Sequence, residues 1–160
     1  MKNKTLIALL LSIMATGCNA KSSEFYVGEI TGPTILKEFK SFAKHKDDIS
    51  YSTADLAPLR AVATPVEVKV FFGEWCHDSV REVPRLISLF EQVNNQNIKP
   101  TFYALDTAKS DPKDEAIKHS IRKTPTVIVY KDGTELGRFL EFPKTDWAND
   151  IAQLINNADD

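Results

Sequence analysis

Cysteine is almost missing from this chain: among 160 residues only Cys18 and Cys76 occur. Cys18 falls inside a segment built like a targeting signal, so Cys76 is left without an intramolecular partner and a disulfide-stapled scaffold is excluded. Histidine is equally sparse. His45, His77 and His119 are scattered, and with one usable thiol they offer no metal-ligand spacing, so neither a bound metal nor a cofactor is expected. Runs of one charge sign are lacking as well. The 20 basic and 22 acidic residues are interspersed at a net charge of −2, with no basic stripe to neutralise phosphates, which removes nucleic acid from the candidate partners. The apolar stretch Leu6–Ala15, about ten residues at ~1.5 Å each, is too short to cross a ~30 Å hydrocarbon core.

What is present is the composition of a globular protein, 42% hydrophobic and 26% charged, in a length that suits one domain. The first twenty residues stand apart. In "MKNKTLIALLLSIMATGCNA" two lysines precede an apolar stretch and then small residues, the three-part build of a secretory signal. The end of that stretch, "ATGC", resembles a bacterial lipobox, with Ala15 where such motifs usually carry leucine. The resemblance implies a signal over residues 1–17, a lipidated Cys18 as first residue of the mature protein, and a membrane partner through that lipid. Asn19 is not the aspartate that retains such proteins in the inner membrane, so the implied address is the outer membrane, facing the periplasm. Ordinary cleavage after Ala20, with small Cys18 at −3, remains open and would leave a soluble periplasmic protein. Removal of Lys2 and Lys4 leaves 18 basic against 22 acidic residues, a mature charge of −4.

Residues 18–33 read as a tether with an irregular lead-in. Residues 34–65 read as an N-terminal helical extension: Ile35, Phe39 and Phe42 share one face of an amphipathic helix capped by Thr34, and a second short helix is interrupted at Pro58. From Val66 the pattern changes to period two, with Val66, Val68, Val70 and Phe72 alternating up to Gly73, which predicts a strand. Val80, Val83, Leu86, Ile87, Phe90 and Val93 then recur at helical spacing, so Cys76 lies where a strand gives way to a helix. "TFYALD" predicts a buried strand, "DPKDEAIKHSI" a short helix and "TVIVY" another strand. "KDG" turns the chain into a hairpin, with Gly133 supplying the positive backbone angle. A last helix, capped by Thr145, aligns Trp147, Ile151, Leu154 and Ile155.

In this order of elements, residues 66–157 resemble the thioredoxin superfamily. Trp75 precedes Cys76 as in that family's "WCxxC" motif, Pro84 follows eight residues later, and "SIRKTPTVIVYKDG" is similar to the stretch holding the family's cis-proline, here Pro125 after Thr124. The resemblance implies an α/β thioredoxin-like fold, a central mixed sheet flanked by helices. It also implies a substrate-binding edge made by Trp75, Thr124, Pro125 and Thr126. Two departures stand out. Ser79 replaces the second cysteine, giving a CxxS motif, and Val70 replaces the buried acid that dithiol members hold six positions before the first cysteine.

A cysteine at the first turn of a helix faces unpaired N–H groups and the positive end of the helix dipole, the setting of a nucleophilic thiolate. Protonated His77 would add positive charge beside Cys76, and the Ser79 hydroxyl could donate to the sulfur. Attack of Cys76 on a disulfide gives a mixed disulfide. With no resolving thiol in the chain, release falls to the substrate's second thiol or to an external thiol such as glutathione, so the partners implied are protein thiols, protein disulfides or glutathione. The other reading is a non-catalytic binding module that keeps the groove and has lost the dithiol site. A peroxiredoxin-type peroxidase is disfavoured because Gly73 stands where those enzymes carry threonine. Trp147 reads as packing, His45 and His119 as solvated, Asp106 and Asp111 as turn and cap residues, and Arg122 as a surface cation.

Overall fold

The computed structural model describes residues 25–158; the leader over residues 1–17 and Cys18 lie outside them. The chain runs through β1 (Gly28–Ile30), α1 (Gly32–Glu38), α2 (Lys40–Ala43), α3 (Thr53–Arg60), β2 (Val66–Phe72), α4 (His77–Val93), β3 (Ile98–Ala104), α5 (Glu115–Lys118), β4 (Thr126–Lys131), β5 (Thr134–Leu140) and α6 (Trp147–Asn156).

β2 forms because its branched and aromatic residues alternate, and it lies at the centre of the sheet, whose order is β1-β3-β2-β4-β5. β3 pairs parallel to β2, from Val66 opposite Ile98 to Phe72 opposite Ala104. β4 pairs antiparallel to its other side, and β5 antiparallel to β4 with a register shift at Val129/Tyr130. This is the mixed sheet of the thioredoxin-like fold.

The two sheet faces are covered unequally. Val66, Val68, Val70 and Phe72 join Ile35, Phe42, Leu59, Leu86 and Trp147 in the larger core, so α1, α2, α3, α4 and α6 all lie over this face. Burying each such side chain contributes about 1.5–3 kcal/mol. The other face holds a smaller cluster of Phe71, Leu105, Ala116, Ile121 and Ile128, roofed by the single turn of α5.

Several local expectations differ from the structure. Residues 28–30, read as part of the tether, form β1 and pair antiparallel with β3. The single helix expected from Thr34 is two. Thr31 caps α1 through the Thr34 amide, and extended backbone at Phe39 separates α1 from α2. That break lets Phe39 and Phe42 both turn inward, with rings 5.6 Å apart. α3 continues through Pro58 and is closed at its start by a reciprocal Ser52–Asp55 capping box. The cap of α6 is Asp146, which accepts from the Asn149 amide at 2.9 Å; Thr145 instead donates its amide to Asp150.

Candidate active site

β2 ends at Gly73, and the chain turns directly into α4 with Cys76 as its N-cap; the Cys76 amide donates to the Gly73 carbonyl at 3.0 Å. Gly73 leaves the room that the neighbouring indole occupies. A Cβ on it would stand 2.5 to 2.8 Å from the Trp75 indole, which folds back over this residue. The indole Nε1 donates to the Leu105 carbonyl at 3.0 Å, fixing the ring between the ends of β2 and β3. Lys109 lies over the same ring, its Nζ 5.4 Å from the centroid.

Cys76 is half-buried, and its Sγ donates to the Thr124 carbonyl at 3.1 Å. The Thr124–Pro125 bond is cis. Thr126 Oγ1 donates to the Lys123 carbonyl at 2.8 Å, and the Pro125 carbonyl accepts from the Glu141 amide, so this loop is tied to itself and to the end of β5. Cys76, Trp75, Thr124, Pro125 and Thr126 thus lie around one strand-to-helix corner and the loop facing it.

Ser79 is fully buried, and its Oγ accepts from the Gly73 amide at 3.2 Å. That bond ties the first turn of α4 to the strand end. His77 points into solvent, its side chain 90% exposed, and its Nδ1 is 4.0 Å from Asp78, which is itself paired with Arg81 at 3.1 Å. Among the described residues no group of three or more His, Cys, Asp or Glu side chains is arranged to hold a metal ion.

Val70 is an apolar core residue, and the buried acid nearest in sequence to the thiol lies instead on α4. Glu82 is 3% exposed and receives Arg81 at 2.6 Å, Arg85 at 3.0 Å and Trp147 Nε1 at 2.9 Å. Trp147 is therefore packing residue and hydrogen-bond donor at once, joining α6 to α4. The sequence signal for Glu82 was an acid inside the apolar stripe between Ser79 and Leu86, flanked by arginines at 81 and 85. Nearby, burial pushes the Tyr51 hydroxyl well above its ordinary value, with Asp146 and Glu82 adding to the effect.

His119, read as solvated, is partly buried on the thinly covered face. Lys69 Nζ donates to its Nε2 at 3.2 Å, so Nδ1 carries the ring proton and donates to Tyr130 Oη at 2.9 Å. Burial, and then the Lys69 charge, push its pKa below 6.5. His45 is bonded to Asp48 at 2.7 Å. Asp106 and Asp111 are turn and cap residues: Asp106 binds both the amide and hydroxyl of Ser110, and Asp111 accepts three backbone amides. The Ser110 amide holds the Asp106 carboxyl below its usual value.

A family model described as thioredoxin matches residues 36–153. Among solved structures, a protein of unknown function from Pseudomonas aeruginosa is 16% identical at a TM-score of 0.63, over 84% of this chain and 95% of its own. An HIV epitope-scaffold is 17% identical at a TM-score of 0.61, over 81% of this chain and 93% of its own. Both likenesses are of fold. No curated protein matches the sequence.

Proposed function

The chain belongs to the thioredoxin family, and from that premise we propose that it performs thiol–disulfide exchange in the cell envelope through one nucleophilic cysteine, Cys76. The observation that carries this reading is a half-buried thiol at the N-cap of α4, 3.1 Å from the backbone of the cis-proline loop. In the exchange step the Cys76 thiolate attacks one sulfur of a substrate disulfide. A new S–S bond forms as the old one breaks, and the departing sulfur leaves as a thiolate that takes its proton from solvent. One turn on stands Ser79, so the chain supplies no second sulfur. The substrate's own second thiol then displaces Cys76, completing an isomerisation, or external thiols such as glutathione do so and end as their own disulfide while the substrate is reduced.

The test is a thiol count by gel shift under mild oxidation. Wild type accumulates mixed disulfides, Cys76→Ser forms none, and Ser79→Cys closes an intramolecular disulfide one helical turn long. With Val70 in place of an acid, that dithiol turns over slowly in insulin reduction. Failure of the Ser79→Cys bridge to form would remove the support for a thioredoxin-type first turn.

A second reading is favoured by one contact. The Cys76 sulfur donates to a carbonyl, an arrangement that suits a thiol and not a thiolate, as expected of a binding module that keeps the groove without the chemistry. Alkylation of Cys76 at mildly acidic pH separates the two: fast labelling favours exchange, slow labelling the module.

The envelope assignment rests on the leader. A signal over residues 1–17 and lipidation of Cys18 would anchor the domain to the outer membrane through the short segment before β1. Metabolic labelling with a fatty-acid analogue should mark wild type and not Cys18→Ala; equal label in both would leave ordinary cleavage after Ala20 as the reading.

A further inference from the structure

The N-terminal chain enters the domain at the end of the sheet that carries Cys76. Gly28, the first residue of β1, stands opposite Ala104 of β3, and Ala104 stands opposite Phe72, the last residue of β2. Gly28 and Phe72 therefore share one row, two strand spacings or about 10 Å apart, and the Cys76 corner follows directly on Phe72. The chain before β1 stays at this end. The Tyr26 amide donates at 3.4 Å to Glu74, two residues before Cys76.

The same end gathers exposed apolar side chains. Of the four large ones among the described residues, Ile117 lies on α5, whereas Tyr26 precedes β1 and Leu140 and Phe142 lie at the close of β5. Leu140 pairs with Thr126 and Thr126 with Phe71, one residue short of the row of Gly28 and Phe72. The Phe142 amide donates to the Leu140 carbonyl just beyond. Exposed apolar groups gathered at one end mark a contact surface.

Resting on the exchange and lipidation readings above, we propose that the Cys76 end faces the bilayer and that its substrates are disulfides of membrane-anchored proteins held close to the lipid surface. From Cys18 to Phe25 is seven residue steps, at most about 25 Å of fully extended chain. A domain of this length is roughly 35 Å across, from a radius of gyration of about 14 Å. A lipid on Cys18 could not pass around such a body, so Cys76 cannot turn away from the membrane that holds it. Adding the span from Phe25 to Cys76 keeps the sulfur within about 40 Å of the lipid. Confinement to that layer raises the local concentration of disulfides anchored in the same membrane. The reaction is unchanged: Cys76 forms the new S–S bond and the substrate's other sulfur departs as thiolate.

The test places the lipidated protein recovered from cells in liposomes and reads energy transfer from a maleimide dye to headgroup-labelled lipid. With Cys18 lipidated, Cys76 is the one thiol left to label. Its dye should transfer more strongly than one on Thr134→Cys in a Cys76→Ser background, because Thr134 lies at the far end of the sheet, in the row of Val66. Unlabelled protein is then offered a bilayer-anchored peptide whose disulfide stands either next to the lipid or beyond a polyproline spacer of about 60 Å. The near disulfide should react at least about fivefold faster. Inserting about twenty Gly/Ser residues after Ser22 should erase most of that preference and of the difference between the dyes. Equal transfer from the two dyes, or equal rates for the two peptides while a free disulfide reacts briskly, overturns the orientation and leaves exchange standing. Wild type that carries no fatty-acid label and does not attach overturns lipidation and the inference with it. Failure of every disulfide, free and anchored, overturns the exchange reading and the substrate class together.

Discussion

Gly73→Ala should unseat Trp75 while leaving the backbone free to keep its path. The new methyl would lie 2.5 to 2.8 Å from three indole atoms, so the ring has to leave. It then gives up its hydrogen bond to the Leu105 carbonyl, worth about 1 kcal/mol, and the Lys109 contact, worth about 0.5–1 kcal/mol. Ring surface re-exposed to water adds about 1 kcal/mol. Replacing glycine stiffens the unfolded chain and returns about 0.4–1 kcal/mol, so the net loss is about 1.5–2.6 kcal/mol. Urea unfolding followed by far-ultraviolet circular dichroism measures it. The decisive comparison is the double variant: once Trp75→Ala has removed the ring, Gly73→Ala should cost nothing and return the about 0.4–1 kcal/mol of the stiffened unfolded chain, a coupling of about 2.5–3 kcal/mol between the two positions. Additive costs, or a single-variant loss below about 0.5 kcal/mol, would refute the reasoning.

Three more outcomes follow from the same geometry. Ser79→Ala strands the buried Gly73 amide and should cost about 1–2 kcal/mol in the same assay; no change would mean that water or another group replaces the hydroxyl. Glu82→Ala removes the shared acceptor of Arg81, Arg85 and Trp147 and should cost about 3 kcal/mol, with Glu82→Gln milder because Trp147 keeps a partner; a loss below about 1 kcal/mol for the alanine variant contradicts it. His119 has its pKa lowered in the fold, so below about pH 6.5 the unfolded chain binds the extra proton and stability falls as pH falls. Between pH 7 and pH 5 wild type should lose more stability than His119→Gln, and equal losses would show that the imidazole does not titrate in this window.

β2, α4 and β4 were legible because each combines strong periodicity with a punctuating residue: Pro65 and Gly73 around β2, the Trp75–Cys76 junction before α4, Pro125 before β4. The corner at Cys76 could be placed for the same reason. β1 could not, since three residues containing Gly28 carry no period, and their strand character comes only from pairing with β3. The break at Phe39 was hidden because the apolar spacing continues across it while the backbone turns the second helix onto α4. His119 stands in a run of charges at the end of α5, and its burial depends on Lys69 from β2 and Tyr130 from β4. Lys109 gave no signal of its own; the Asp106–Ser110 spacing pointed to a turn, but what that turn presses against is a tertiary fact.

The two borders of the sheet bear on how copies of this protein meet. β1 is only three residues long, too brief to template an incoming strand. β5 is longer, but it follows a register shift at Val129/Tyr130 and carries a Glu135–Arg138 ion pair at 2.6 Å. A neighbouring chain that tried to extend the sheet there would meet twisted backbone and have to strip a charged pair of water, so crowding should favour separate molecules over edge-to-edge polymers.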